Sequence, residues 1–361
     1  MSSQLQVELR GREGPLLEVT DLHTHFKTAR GLVRSVDGVS FTLDRGAALG
    51  IVGESGSGKT VLSRSIMGLL PKRDTVKSGS VVFEGQELID MSLRQRQRIW
   101  GKEMSMIFQD PMTSLNPVMR VGKQIGEGLR MHLGMSKADA RATALKLLQD
   151  VRIPSPDRRL DQYSFELSGG MRQRVMIALA MSCGPTLMFA DEPTTALDVT
   201  VQAQILDLLD EQRRERNMSL ILVTHDLGVV AGRTDEIAVM YGGKLVEKAP
   251  TAELFANMKM PYTEALLNSI PKLADPSHTR LNVIPGRPPD LVNPPKGCRF
   301  APRCPYARER CQEEEPPLIP TAEDPGHVYA CWYPVGSPEY HETRARRQAE
   351  AATLTEAEVA A

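Results

Sequence analysis

From Leu16 to about Ser269 the chain alternates short apolar runs with Gly-rich turns and stretches of helical periodicity. That alternation predicts an α/β domain with a largely parallel sheet. Leu49, Ile51 and Val52 read as a buried strand that feeds a glycine loop, with a helix beginning near Lys59. Thr186 to Glu192, T-L-M-F-A-D-E, has the continuous apolar character of a strand buried on both faces and ends in two carboxylates. Within Ala138 to Leu148, residues Ala140, Ala144, Leu147 and Leu148 fall on one helical face. Past Pro271 the periodicity fades, and Pro285, Pro288, Pro289, Pro294, Pro295, Pro302 and Pro305 exclude long helices. From Glu339 onward Arg, Ala and Glu dominate and no aromatic residue follows Tyr340. The expected organisation is one large domain over 16–270, a small irregular module over 271–336, and a tail over 337–361 that is mobile or at best a frayed helix.

With 361 residues, 41% of them apolar and 25% charged, the chain has enough material for a real core, which rules out general disorder. Lys plus Arg number 44 against 45 for Asp plus Glu. A balance so near neutral disfavours partners held by charge alone, nucleic acid above all. No run approaches the ~18–20 apolar residues that span a bilayer, and Met1 to Gly14 is polar, without the apolar centre of a signal peptide. A cytoplasmic location is expected.

Residues 48–60 read A-L-G-I-V-G-E-S-G-S-G-K-T and contain G-x-x-x-x-G-K-S/T, the P-loop. Glycine is needed because successive backbone NH groups must turn inward around a phosphate, where a Cβ would block the approach or forbid the dihedral. The loop therefore predicts a nucleoside triphosphate bound by Gly53, Glu54, Ser55, Gly56, Ser57, Gly58, Lys59 and Thr60. Lys59 can reach the β- and γ-phosphates and the Thr60 hydroxyl can ligate Mg2+. The acidic strand would end beside this loop, with Asp191 holding Mg2+ through water and Glu192 polarising the attacking water.

What narrows the class is L-S-G-G-M-R-Q-R at residues 167–174, shortly upstream of the acidic strand. Here the chain resembles the ATP-binding subunits of ABC transporters, whose signature is L-S-G-G-Q; Met171 in the fifth place resembles the peptide and nickel importer branch. Ser168, Gly169 and Gly170 open a helix and can make a second anion site. The resemblance implies roles for further residues in chain order. Gln109, in M-I-F-Q-D-P, matches the glutamine that contacts Mg2+ and the attacking water. Ala196, Leu197 and Asp198 match the loop that crosses a dimer interface, and His225, in L-V-T-H-D, matches the switch histidine at the γ-phosphate. Alone, each has a plainer reading as a surface Gln, a turn Asp or a strand-end His. The family places an aromatic near the start of the domain against adenine; Phe26 is the available aromatic, while Arg30 stands nearer the usual place, and either can stack on a purine.

The resemblance also implies the fold: a RecA-like P-loop core, an antiparallel β subdomain, and a helical subdomain at about 112–163 that receives membrane-spanning partners. One P-loop and one signature make half of each site, so a second ATPase subunit, identical or different, is implied. Two permeases and an extracytoplasmic substrate-binding protein complete the expected assembly, with this chain peripheral at the cytoplasmic face of the membrane.

Cys298, Cys304, Cys311 and Cys331 are separated by 5, 6 and 19 residues. Four thiolates can hold zinc or an iron-sulfur cluster, and zinc sites usually pair cysteines two to four residues apart. Together with P-Y-T-E-A-L-L-N-S-I-P at 261–271 and I-P-G-R-P-P at 284–289, these cysteines resemble the carboxyl-terminal extension of oligopeptide and dipeptide importer ATPases. That resemblance implies a 4Fe-4S cluster. Cys183 reads as an ordinary packed residue. The expected function is hydrolysis of ATP coupled to uptake of peptides; the alternatives are nickel or another small solute, or a soluble ABC ATPase outside transport.

Overall fold

The structure, a computed structural model, describes residues 14–194, 198–270 and 284–359. Ala196 and Leu197 lie outside the described residues, as do 271–283, the first part of the expected extension, and the last two residues of the tail. Two sheets organise the fold. The antiparallel one contains β1 (Leu17–Thr28), β2 (Gly31–Leu43), β4 (Thr75–Phe83) and β5 (Gln86–Glu87), in the order β2-β1-β4-β5. The central sheet contains β3 (Ala48–Val52), β6 (Met104–Ile107), β7 (Leu187–Asp191), β8 (Ser219–Thr224), β9 (Glu236–Tyr241), β10 (Lys244–Pro250), β11 (Ile319–Pro320) and β12 (Val328–Tyr329). Its order is β11-β12-β10-β9-β3-β8-β7-β6.

The stretch β9-β3-β8-β7-β6 is parallel throughout. Every residue of β3, β6, β7 and β8 is buried, because helices or the second sheet cover both faces. On one face, Leu62 and Ile66 of helix Lys59–Met67 pack with Leu49, Ile51, Phe189 and the inward side chains of β1 and β2. On the other, Ile205 and Leu209 of helix Val199–Arg216 and Val175 and Ile177 of helix Gly169–Met181 cover Ala190 and Leu222. Residues 112–163 contain the helices Val121–Leu133, Lys137–Asp150 and Pro156–Leu160. Val121, Ile125 and Leu129 of the first share a core with Ala140, Ala144, Leu147 and Leu148 of the second.

The extension does not sit apart from the cassette. Its strands β11 and β12 lengthen the central sheet by antiparallel pairing on β10, with Val328 opposite Lys248 and Tyr329 opposite Glu247. Phe300 enters the main core and contacts Tyr241 and Tyr262, with each ring centroid 5.3 Å away. A fully buried pair, His327 Nε2 to Glu247 Oε1 at 2.8 Å, ties the two parts again.

The tail differs from the expectation of mobility. Residues Pro338–Val359 form a helix whose first turns are docked. Tyr340 is buried, sets its ring 4.4 Å from that of Tyr306 and donates its hydroxyl to Glu264, while Arg347 donates to the carbonyl of Pro305. The apolar contact that holds the tail comes from its single aromatic residue near the start.

Candidate functional site

Four neighbouring strands, β3, β8, β7 and β6, deliver their carboxyl ends to one edge of the sheet, and the predicted chemistry sits there. Gly53 follows β3, His225 follows β8, Asp191 closes β7 with Glu192 after it, and Gln109 lies just beyond β6. Gly53, Gly56 and Gly58 all have positive φ. A Cβ on Gly53 would stand 2.1 Å from the carbonyl oxygen of Met240, and one on Gly58 2.1 Å from that of Ser35. Neither backbone can yield cheaply. At Gly56, φ 81°, a Cβ would meet nothing within 4 Å, so this glycine borders open space.

Lys59 is buried and its Nζ donates to the carbonyls of Gly53 at 2.6 Å and Glu54 at 2.9 Å. Burial pushes its pKa down, against the pull of Glu192, Asp191 and Glu54. The Thr60 hydroxyl donates to Asp191 Oδ1 at 2.9 Å. Asp191 is fully buried, which pushes its carboxyl pKa up, and its Oδ2 has no hydrogen-bond partner. An unsatisfied buried carboxylate oxygen beside a hydroxyl suits a hard cation that takes oxygen ligands. Those two residues therefore fit Mg2+.

Glu192 takes φ 46°, a left-handed conformation uncommon for a glutamate. Its carboxylate spans two neighbours: Gln109 Nε2 donates to Oε2 at 2.9 Å, and His225 Nδ1 lies 3.2 Å from Oε1. The sheet thus brings Gln109, Glu192 and His225 into one cluster.

Ser168, Gly169 and Gly170, expected to make a second anion site, lie at a helix start. Ser168 caps helix Gly169–Met181 by accepting from the Met171 NH at 3.4 Å, and Ser168 and Gly169 are exposed. Gln173, one turn along, donates to the carbonyl of Pro193, which fixes this helix to the loop after Glu192. Asp198 caps helix Val199–Arg216 by accepting from the Val201 NH at 2.9 Å. Phe26 is half-buried in β1, opposite Val33 and Thr75. Arg30, in the turn between β1 and β2, is exposed and its Nη2 stands 3.3 Å from Asp290 of the extension.

Cys298, Cys304, Cys311 and Cys331 line one small apolar cavity with Phe300, Tyr306 and Trp332. All are free thiols. Burial, and secondarily the neighbouring thiols, pushes Cys298 up to about 11 and Cys304 up to about 12, with Cys331 raised in the same way. Among the described residues the only trio with ligand atoms within 4.8 Å of one another is His23, His25 and Asp37. Asp37 there is already paired with Arg299, so no metal is needed to balance it.

A sequence profile described as ABC transporter matches residues 36–195, and one described as oligopeptide/dipeptide transporter, C-terminal region, matches 246–311. The oligopeptide transport ATP-binding protein OppD of Bacillus subtilis (strain 168) is 50% identical over 318 residues, 88% of either chain. The chain belongs to this ABC transporter family. The dipeptide transport ATP-binding protein DppD of Escherichia coli (strain K12) is 48% identical over 320 residues, covering 89% of this chain and 97% of that one. Among solved structures, the ATP-binding cassette MJ0796 in a post-hydrolysis dimer with ADP and Pi superposes with a TM-score of 0.59 at 24% identity, over 65% of this chain and 98% of that one. That likeness concerns the fold. As an ABC transporter ATP-binding protein the chain is an ATPase.

Several residues of this ABC site were not singled out from sequence. Tyr262 accepts from the Glu54 NH at 2.8 Å, and Arg303 forks onto the Glu54 carboxylate at 2.6 and 2.9 Å. Arg299 donates to Asp37 and to the carbonyl of Gly242, while the adjoining Gly243 NH donates to the carbonyl of Ser57 at 2.9 Å. Both arginines stand beside cysteines, Cys298 and Cys304. That adjacency was the available signal, though nothing local named their partners.

Proposed function

We propose that this chain is an ATP-hydrolysing subunit of an importer of oligopeptides or dipeptides, placed at the cytoplasmic face of the membrane with a second ATPase subunit, two permeases and an extracytoplasmic substrate-binding protein. The observation that carries the reading is Glu192 held between Gln109 and His225 beside a P-loop, on a chain about half identical to named oligopeptide and dipeptide transport proteins. No helix among the described residues is long and apolar enough to cross a membrane, so translocation falls to other chains. The helical region offers exposed Val118 and Met131 for contact with them.

Lys59 leaves the loop carbonyls and takes up the β- and γ-phosphates, while the NH groups of residues 53–60 cradle the β-phosphate. Phe26 or Arg30 covers the adenine. Thr60 and Asp191, with Gln109, would hold Mg2+, which would supply positive charge at the phosphate oxygens. Glu192 accepts a proton from the attacking water and His225 and Gln109 hold that carboxylate and the water in line. Ser168, Gly169 and Gly170 complete the phosphate site of the partner ATPase, with Asp198 at the interface. Closing of the pair on ATP and its reopening after hydrolysis pass to the permeases as rigid-body motion.

In this reading Cys298, Cys304, Cys311 and Cys331 ligate a 4Fe-4S cluster. Four cysteines lining one small apolar cavity support it. The cluster's contribution is a structural staple for a segment too small to fold alone. Anaerobically purified chain should contain iron and sulfide in near-equal amounts; stoichiometric zinc without sulfide overturns the cluster.

The hydrolytic assignment is tested with Glu192→Gln in the assembled transporter. ATP binding should persist while turnover falls by at least ~10². Near-normal turnover would mean that Glu192 does not take the proton from water.

A further inference from the structure

A carboxylate in a phosphate-binding loop is electrostatically misplaced, since Glu54 sits directly after Gly53 in the loop that must receive a polyphosphate. Its side chain is answered by Arg303, 249 residues away in the extension. The contact is a bidentate fork, Nη1 to Oε2 at 2.6 Å and Nη2 to Oε1 at 2.9 Å, with the arginine side chain 4% exposed. The guanidinium is itself fixed from several sides. Nε donates to the carbonyl of Pro285 at 2.8 Å, Nη2 to that of Ile284 at 3.2 Å, and Nη1 to the Tyr241 hydroxyl at 3.2 Å. Its backbone lies in the turn Ala301–Arg303, immediately before Cys304.

We infer that Arg303 is a positioning residue of the nucleotide site: it neutralises and fixes Glu54, so that the extension sets how strongly the P-loop binds ATP. Two effects run through the same fork. Pairing cancels a negative charge that would otherwise repel the incoming phosphates. It also anchors the residue whose NH is held by Tyr262 and whose carbonyl holds Lys59 Nζ at 2.9 Å, so the start of the loop is fixed while the lysine changes partners. Disturbance of the four-cysteine module next to Arg303 should therefore reach ATP affinity before it reaches the hydrolytic cluster. The inference rests on the ATP-binding reading of the P-loop.

The test is equilibrium ATP binding to the full chain, with thermal unfolding followed in parallel. Arg303→Ala should weaken ATP binding about 10-fold, because it leaves an uncompensated carboxylate in the loop; Arg303→Lys, which keeps the charge but not the fork, should lose less. Combined with Arg303→Ala, Glu54→Gln removes the stranded carboxylate and should restore most of the loss. A merely structural arginine would show no such rescue. Should Arg303→Ala fail to fold, the comparison of Arg303→Lys with and without Glu54→Gln carries the same test. Lys59→Ala serves as the control. If Lys59→Ala abolishes binding but the Arg303 variants bind as wild type, or if Glu54→Gln rescues nothing, this inference is overturned and the P-loop reading stands. If Lys59→Ala binds normally, the P-loop reading itself fails.

Discussion

Asp37→Asn offers a measurable test of how the extension is joined to the β subdomain. Asp37 Oδ1 faces His23 Nδ1 at 3.1 Å and His25 Nε2 at 2.9 Å, and Oδ2 accepts from Arg299, whose side chain is 6% exposed. Burial alone would raise the Asp37 pKa, but the hydrogen bond and charge of Arg299, aided by both imidazoles, hold it down at about 2 against an ordinary 3.8. A depression of that size corresponds to about 2.5 kcal/mol of stability at pH 7. Leaving Arg299 buried opposite a neutral amide raises the cost toward ~3–4 kcal/mol. In a protein of this size that lowers Tm by about 4–5 °C.

The sign of the pH dependence follows from the direction of the shift. A carboxyl depressed in the folded state stabilises fully above its unfolded pKa and loses that contribution as pH falls through the folded one. The linked part, about 2.5 kcal/mol at neutral pH, should fall to roughly half near pH 3. Urea unfolding of wild type and Asp37→Asn at pH 7 and at acid pH measures the difference directly. A variant as stable as wild type at pH 7, or a difference that does not shrink on acidification, would refute the pairing as the source of stability.

Two further substitutions probe the site itself. Gly56→Ala should cost the free protein only about 1–2 kcal/mol of backbone strain yet weaken ATP binding strongly, since its methyl group enters open space bordering the loop, whereas Gly58→Ala, aimed at the Ser35 carbonyl, should lower Tm before any ligand is added. Equal stability of the two variants would contradict that geometry. Ser168→Arg should leave ATP binding by the isolated chain intact while lowering turnover of the assembled transporter; loss of binding by the isolated chain would place Ser168 at its own P-loop.

The parts legible in sequence are those whose geometry is local. The P-loop declares itself because glycine dihedrals and the strand-to-helix passage involve consecutive residues, and the apolar run ending in Asp191 and Glu192 marks a buried strand by composition alone. That Gln109, Glu192 and His225 meet needed the order of strands β6, β7 and β8, which family resemblance supplied and periodicity could not. Strands β11 and β12 are two residues each, too short for any alternation to register. Docking of the tail hangs on Tyr340 finding Tyr306 and Glu264, a pairing across 34 and 76 positions. The pairing of Arg303 with Glu54 escaped for the same reason, since an ion pair leaves no mark on the sequence between its members.

The aromatic trio of Tyr241, Tyr262 and Phe300 bears on how this protein can be cut for experiment. Shortening the chain after residue 270 to obtain a minimal cassette would uncover two tyrosine rings, leave Glu247 buried without His327, and strip β10 of its outer neighbour. An exposed strand edge beside bare aromatic surface is a recipe for self-association. Expression trials that treat the extension as a removable appendage should therefore yield aggregates, and a usable short form would begin by replacing what Phe300 and β12 cover.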